Sequence, residues 1–280
     1  MTRQTPKPGR RVRTSLSAVL LTAVLIPAPA TAQIDPTGEP GPLFDSRDAW
    51  IAGSYLLGAA IAFPFDEPVA MAIRDSVFQE TPGLKRTARS FNLLGVPGSL
   101  IISGGLYAGG LISGNRNMAD VGLHVGEAIL LAEGVTYALK LLAGRARPGV
   151  DINDPFNFSF GRGFGAGDDF QSFPSGHTSA AFATAAAAAH EIERIWGGND
   201  YLIGFLTYGP AAMVGLSRMF DNRHWTSDVV FGAAIGAFSG WKVVRYNHSN
   251  PDNPVDDFFL SFSVVPGDWS RVHVAIVPAP

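Results

Sequence analysis

Six apolar stretches of helical length follow one another along the chain, near residues 49–63, 90–113, 120–143, 178–196, 200–217 and 225–245. Apolar density, alanine content and breakers such as Pro82-Gly83, Pro148-Gly149 and Gly197-Gly198 delimit them. The succession predicts an all-α fold, a six-helix bundle. Alanine and glycine are abundant and charged residues make up only 16%, which points to tightly packed helices or to contact with a membrane. A chain of 280 residues with 46% apolar content has ample material for a core.

The ends differ from this body. Residues 1–32 have a basic start, an apolar centre from Ala18 to Ile26 and the small-residue site Ala30-Thr31-Ala32, the pattern of a cleaved signal peptide. Its removal would leave 16 basic residues against 24 acidic, a balance that disfavours a nucleic-acid partner. Residues 33–48 are Pro- and Gly-rich and read as a surface arm. After a helical domain over 49–248, the tail 249–280 alternates on either side of Pro266-Gly267-Asp268, as in a short β-hairpin. The chain has no cysteine, so disulfides, thiolate catalysis and iron–sulfur clusters are excluded.

Three polar islands fall at helix ends. Lys140, Arg145 and Arg147 close the third stretch, where cations also suit the negative end of a helix dipole. Pro174-Ser175-Gly176-His177 precedes the Ala-rich fourth stretch, placing free amides where an anion can bind, with Gly176 allowing close approach. SRMFDNRHWTSD, residues 217–228, sets His224 and Asp228 four apart, on one face of a helix beginning near Trp225. A carboxylate there can fix the imidazole tautomer and leave the other nitrogen free to attack; an ion pair at a helix start or a pair of metal ligands reads equally from the spacing. The islands together supply several fixed cations, two histidines and a helix N-terminus, an inventory that fits a phosphate-sized dianion. Between the first two islands, residues 149–173 carry six Phe and five Gly and read as a cover over a site.

Lys140 to Pro148 matches KxxxxxxRP, Pro174 to His177 matches PSGH, and Ser217 to Asp228 matches SRxxxxxHxxxD, in that order. The chain therefore resembles the type 2 phosphatidic acid phosphatase and vanadium haloperoxidase superfamily over residues 50 to 245. The resemblance implies that His224 attacks phosphorus to form a phosphohistidine, that Asp228 orients it, and that His177 protonates the leaving oxygen. Lys140, Arg147, Ser175, Gly176 and Arg218 would hold the phosphoryl oxygens. No cofactor and no metal is implied, and vanadate would act as an inhibitor or phosphate mimic. Arg145, Arg162, Arg223, Asp168 and Asp169 have no assigned role, and His124, His190, His248 and His273 read as ordinary core or surface residues. The expected activity is hydrolysis of phosphomonoesters or lipid (pyro)phosphates; vanadate-dependent halide oxidation and non-catalytic anion binding are the alternatives.

Placement relative to a membrane is a separate question. The charge-free interval between Arg89 and Arg116 is 26 residues long, enough to span, but holds seven Gly and a Pro, and the mean hydropathy of +0.16 is modest for six spans. Glu127 and Glu133 lie inside the third stretch, which argues for a polar interior there. The expectation is an exported bundle, membrane-associated, with its site on the periplasmic side and a phosphate ester or lipid phosphate as its partner.

Overall fold

The computed structural model describes residues 45–74, 79–197, 200–250, 252–265 and 273–276. The signal segment, residues 33–44 of the arm and the turn at Pro266-Gly267-Asp268 lie outside the described residues. Among those described, nine α-helices occur: α1 Ser46–Ala60, α2 Asp66–Arg74, α3 Pro82–Leu93, α4 Val96–Ser113, α5 Arg116–Ala143, α6 Gly176–Trp196, α7 Asp200–Phe220, α8 Thr226–Ser249 and α9 Pro254–Leu260. All-α architecture holds, but the count of six does not. Pro82-Gly83, read as a breaker, instead starts α3, because proline at the first helical position gives up only an amide that has no partner there. The expected stretch 90–113 breaks at Leu94-Gly95, and α4 restarts with Pro97 in its first turn. In the tail, Phe258 to Leu260 belong to α9 rather than to a strand. Phe262–Val265 (β1) and His273–Ile276 (β2) pair antiparallel, Phe262 opposite Ile276.

The core is built by close approach rather than by large side chains. Helix α8 lays its most extensive contact on α6. A Cβ on Gly236 would lie 2.2 Å from the Ser179 carbonyl oxygen, and one on Gly240 2.6 Å from the Ala186 methyl. Only glycine permits this spacing, four residues apart along one ridge. Facing it, Ala180, Ala183, Ala186 and Ala187 are fully buried, and Val121, Val125, Ala128, Ile129 and Ala132 of α5 close the other side. Each methyl buries little area, so many short dispersion contacts supply the cohesion. Gly232 continues the ridge to the Ser175 carbonyl, 2.4 Å from where its Cβ would be, which presses the start of α6 against the start of α8.

On the outside, Ser46–Arg74 and Val96–Ser113 are long and apolar enough to cross a membrane. Leu57, Ile61 and Ile101 on these segments are each at least 65% exposed. Helix α1 is tied inward at its start by Asp48, which accepts from the Lys242 ammonium of α8 at 2.5 Å.

Candidate active site

The three islands converge at one end of the bundle, where α5 ends and α6 and α8 begin. Helix α5 closes on Gly144 in the left-handed conformation, φ 53°. The chain then runs back through Arg145-Ala146-Arg147 beside the Phe-rich connection: the Ala146 amide donates to the Asn157 carbonyl, the Arg147 amide to that of Asp169, and the Ser172 amide to that of Arg145. The connection is thus a wall of the site, supplying Asp168, Gln171 and Ser172. It is not a cover. Phe158 and Phe173 cluster with Phe63 and Phe231 and Phe156 stacks on Phe63 from outside, whereas Phe160 and Phe164 remain more than 60% exposed.

Asn222, at φ 53° and inside the third island, turns the chain between α7 and α8. It delivers His224, 4% exposed, to the centre. Nδ1 of His224 lies 2.7 Å from the Ser172 carbonyl oxygen. A carbonyl can only accept, so Nδ1 carries the proton and Nε2 keeps its lone pair. Arg147 Nη1 stands 3.4 Å from that Nε2. Burial first, then Lys140 and Arg147, pushes His224 down to about 3, so the imidazole is neutral at neutral pH.

Asp228 does not take the place expected from the four-residue spacing. Its nearest oxygen is 3.6 Å from His224 Nδ1, beyond hydrogen-bond reach. Oδ2 accepts instead from Ser172 Oγ at 2.5 Å and from the Trp225 amide at 2.8 Å, and Oδ1 accepts from Arg145 at 2.6 Å. The carboxylate therefore stays 3.6 Å from His224 Nδ1 and also fixes the loop whose Ser172 carbonyl accepts the imidazole proton. Burial opposes its charge, but Arg145, then His224 and Ser172, hold it well below the usual carboxylate range.

Arg145, without a role in the sequence, is the hub beneath. Fully buried, it bonds Ser227 Oγ, Asp228 and the Pro155 carbonyl, and reaches Asp66 Oδ2 on α2 at 2.7 Å. Asp66 in turn accepts from the Ser227 amide and hydroxyl. Three rings, Phe63, Phe158 and Trp225, lie within 5.4 Å of its guanidinium.

The remaining expected residues surround the pocket. Lys140 donates to the Gln171 carbonyl at 2.7 Å, and burial, then Arg147, lowers it to about 8. Arg147 donates to the carbonyl of Arg223 and to both the carbonyl and side chain of Asp168, which also pairs with Arg223. Arg218 is held by Asn92 Oδ1 of α3 at 2.6 Å, with Asp221 3.8 Å away, and its Nε is buried without a partner among the described residues. Ser175 Oγ meets Thr178 Oγ1 at 2.9 Å, and its amide donates to the Asp228 carbonyl. Gly176 is the first residue of α6, but a Cβ there would meet the Glu133 carboxylate at 3.1 Å rather than open pocket, so its small size answers to Glu133. Burial raises Glu133 to about 7, and its Oε1 has no partner among the described residues. The His177 ring rests against Gly95, where a Cβ would come within 2.4 Å of Cδ2. Burial, then Arg218, Lys140, Arg147 and Arg223, lowers His177 to about 4.

Sequence reasoning missed Asp66, Asn92, Ser172 and Gln171. Asp66 and Asn92 come from outside the motif region and carry no local signal; Gln171 acts through its backbone carbonyl, which any residue type could supply, and Ser172 through both its carbonyl and its hydroxyl, in a connection without a motif.

Residues 121–252 match the PAP2 superfamily. The chain is 41% identical over 83 residues to a lipid A 1-phosphatase of Porphyromonas gingivalis, covering 30% of this chain and 18% of that protein. It is 32% identical over 118 residues to a lipid A 1-phosphatase of Rhizobium johnstonii, covering 42% and 44% respectively. The matches thus span less than half the length of either relative. Among solved structures, a transmembrane PAP2 type phosphatidylglycerolphosphate phosphatase from Bacillus subtilis aligns with a TM-score of 0.49 at 18% identity, over 73% of this chain and 97% of that one. The matched residues 121–252 contain all three motifs, so the likeness to the PAP2 superfamily rests on the part of the chain that builds the site.

Proposed function

We propose that this chain is a phosphatase that hydrolyses phosphate monoesters, those of lipids in particular, through a phosphohistidine on His224. One observation carries the reading: a buried, neutral His224 whose Nδ1 proton is committed to the Ser172 carbonyl, leaving Nε2 as a lone pair beside Arg147. A nucleophile needs that lone pair, and the surrounding cations match the charge that a transferring phosphoryl group presents.

In this reading Lys140, Arg147 and Arg218 bind the phosphoryl oxygens, together with the free amides at the start of α6 and the Ser175 hydroxyl. His224 Nε2 attacks phosphorus as the ester oxygen departs with a proton from His177. Burial, then the same cations, lowers His177 to about 4; a bound dianion neutralises the cations and so raises its affinity for that proton. Water then attacks the phosphohistidine, returning its proton to His177 and releasing phosphate. Asp228 and Arg145 act as positioning residues, through Ser172. The protein's own cations supply the electrostatic stabilisation, so the reading assigns no cofactor, and vanadate would occupy the site as a phosphate mimic.

A lipid substrate is supported by two membrane-length helical segments and by the exposed Phe156, Phe160 and Phe164 on the wall beside the pocket. We place the chain at a membrane, with the pocket on its exported face. The relatives' activity makes the 1-phosphate of lipid A the first ester to assay. Detergent-purified protein should release phosphate from lipid A and from phosphatidate faster than from p-nitrophenyl phosphate, with vanadate inhibiting; a chain that turns over none of the three contradicts the reading.

A further inference from the structure

At the other end of the same helices lies a second buried cluster that the phosphatase chemistry does not use. His124 on α5 is 16 residues before Lys140, about 24 Å along the helix axis. Its Nδ1 lies 2.6 Å from Glu191 Oε1 on α6, and His248 Nε2 on α8 lies 2.7 Å from that same oxygen. The two nitrogens and the oxygen all fall within 4.8 Å of one another. His124 and Glu191 are at most 1% exposed, and the His248 side chain is 20% exposed, which leaves a route in from solvent.

The outer contacts suit metal ligation. The other nitrogen of His124, Nε2, faces Asp256 Oδ2 of α9 at 3.2 Å, and Arg194 holds Glu191 Oε2 at 2.9 Å. Without a metal, His124 must carry protons on both nitrogens to satisfy both carboxylates. With a cation on Nδ1, the neutral imidazole donates its one proton to Asp256, the carboxylate–histidine–metal relay that orients ligands in metal sites. Two imidazoles and one carboxylate are a donor set for zinc, with one coordination position left open. Ligand atoms about 2 Å from a tetrahedral zinc sit roughly 3.3 Å apart, so the present contacts would open by about 0.6 Å.

We propose that His124, Glu191 and His248 form a divalent transition-metal site, of the zinc class, that clamps α5, α6 and α8 together at the pole opposite the phosphate pocket. This inference is independent of the phosphatase reading, and its readout is metal content and stability, not turnover. The test uses the full purified chain, stripped with chelator, exposed to zinc and desalted. The wild type should retain about one zinc per chain and melt roughly 5 °C higher than the stripped form. His248→Ala, at the most exposed ligand, should retain none and gain no stability from zinc. Cobalt in place of zinc should give the visible absorption of a tetrahedral site in the wild type, a reading that does not depend on any variant folding. No retained metal in the wild type, or equal retention in His248→Ala, would overturn the proposal and leave a cluster held by protons alone.

Discussion

The two poles lie at opposite ends of α5, α6 and α8 and each buries a histidine, yet their charge balance is opposite. At the phosphate pole, His177 and His224 sit among Lys140, Arg147, Arg218 and Arg223, and both are held neutral. At the other pole, His124 is surrounded by Glu191 and Asp256; burial disfavours its charge, but hydrogen bonds to these carboxylates raise it to about 9. A buried histidine is therefore not a fixed chemical unit. Cationic surroundings make one a nucleophile waiting for an anion, whereas anionic surroundings make the other a cation, or a ligand that a metal can claim.

The sharpest break of this contrast is His224→Ala, which should lower kcat on a phosphate ester by about 10⁴-fold or more while leaving the fold intact, measured by steady-state kinetics alongside circular dichroism. A fall of less than tenfold would move the nucleophile elsewhere. Next in size, Arg145→Ala leaves Asp66 and Asp228 buried without their counter-ion. It should destabilise the chain by about 3–5 kcal/mol in denaturant unfolding, and a loss under about 1 kcal/mol would deny Arg145 its place as hub.

Asp228→Asn separates direct from indirect orientation. A carboxylate bonded to the imidazole itself is worth about 10⁴-fold. Here the Ser172 carbonyl fixes the tautomer, so the loss should be nearer about 10²-fold, carried by kcat. The smallest effect lies in pH. Lys140 loses its proton as pH rises through about 8, so kcat/KM should decline above that value. Lys140→Arg should carry the decline to higher pH, because guanidinium keeps its proton. Stability at this pole should respond at the acid end. The folded values of about 4 and about 3 for His177 and His224 lie below the unfolded 6.5, so the unfolded chain gains protons first as pH falls. Stability should fall as pH drops from about 6.5 to about 3, and phosphate should oppose the fall.

Much of the phosphate pole was legible in the sequence because its chemistry is carried by side chains at fixed spacing from helix ends. Lys140, Arg147, Ser175, His177, Arg218, His224 and Asp228 gather at one end of the bundle, whereas Gly176 faces Glu133. What the spacing could not show was a further acceptor: His224 and Asp228 are four residues apart, but Nδ1 of His224 lies 2.7 Å from the Ser172 carbonyl oxygen and 3.6 Å from Asp228 Oδ2. Backbone acceptors leave no mark in a sequence. Nor do distant partners, and Asp66, 79 residues before Arg145, could not be paired with it without the fold. The opposite pole was illegible for the same reason, since His124, Glu191 and His248 belong to three helices and form no motif. The close packing was foreshadowed by the Ala and Gly content, although the four-residue ridge of Gly232, Gly236 and Gly240 gains its meaning only from the Ser175 and Ser179 carbonyls and the Ala186 methyl opposite it.

The central claim is that Nε2 of His224 forms a bond to phosphorus. The direct test is to mix the chain with a ³²P-labelled phosphate ester, quench in alkali within the first turnover, and map the label by peptide mass spectrometry. The account predicts an alkali-stable, acid-labile phosphate on the peptide containing His224, absent in His224→Ala and accumulating if His177→Ala slows its hydrolysis. Turnover at full rate with no labelled peptide, or label on a different residue, would contradict it.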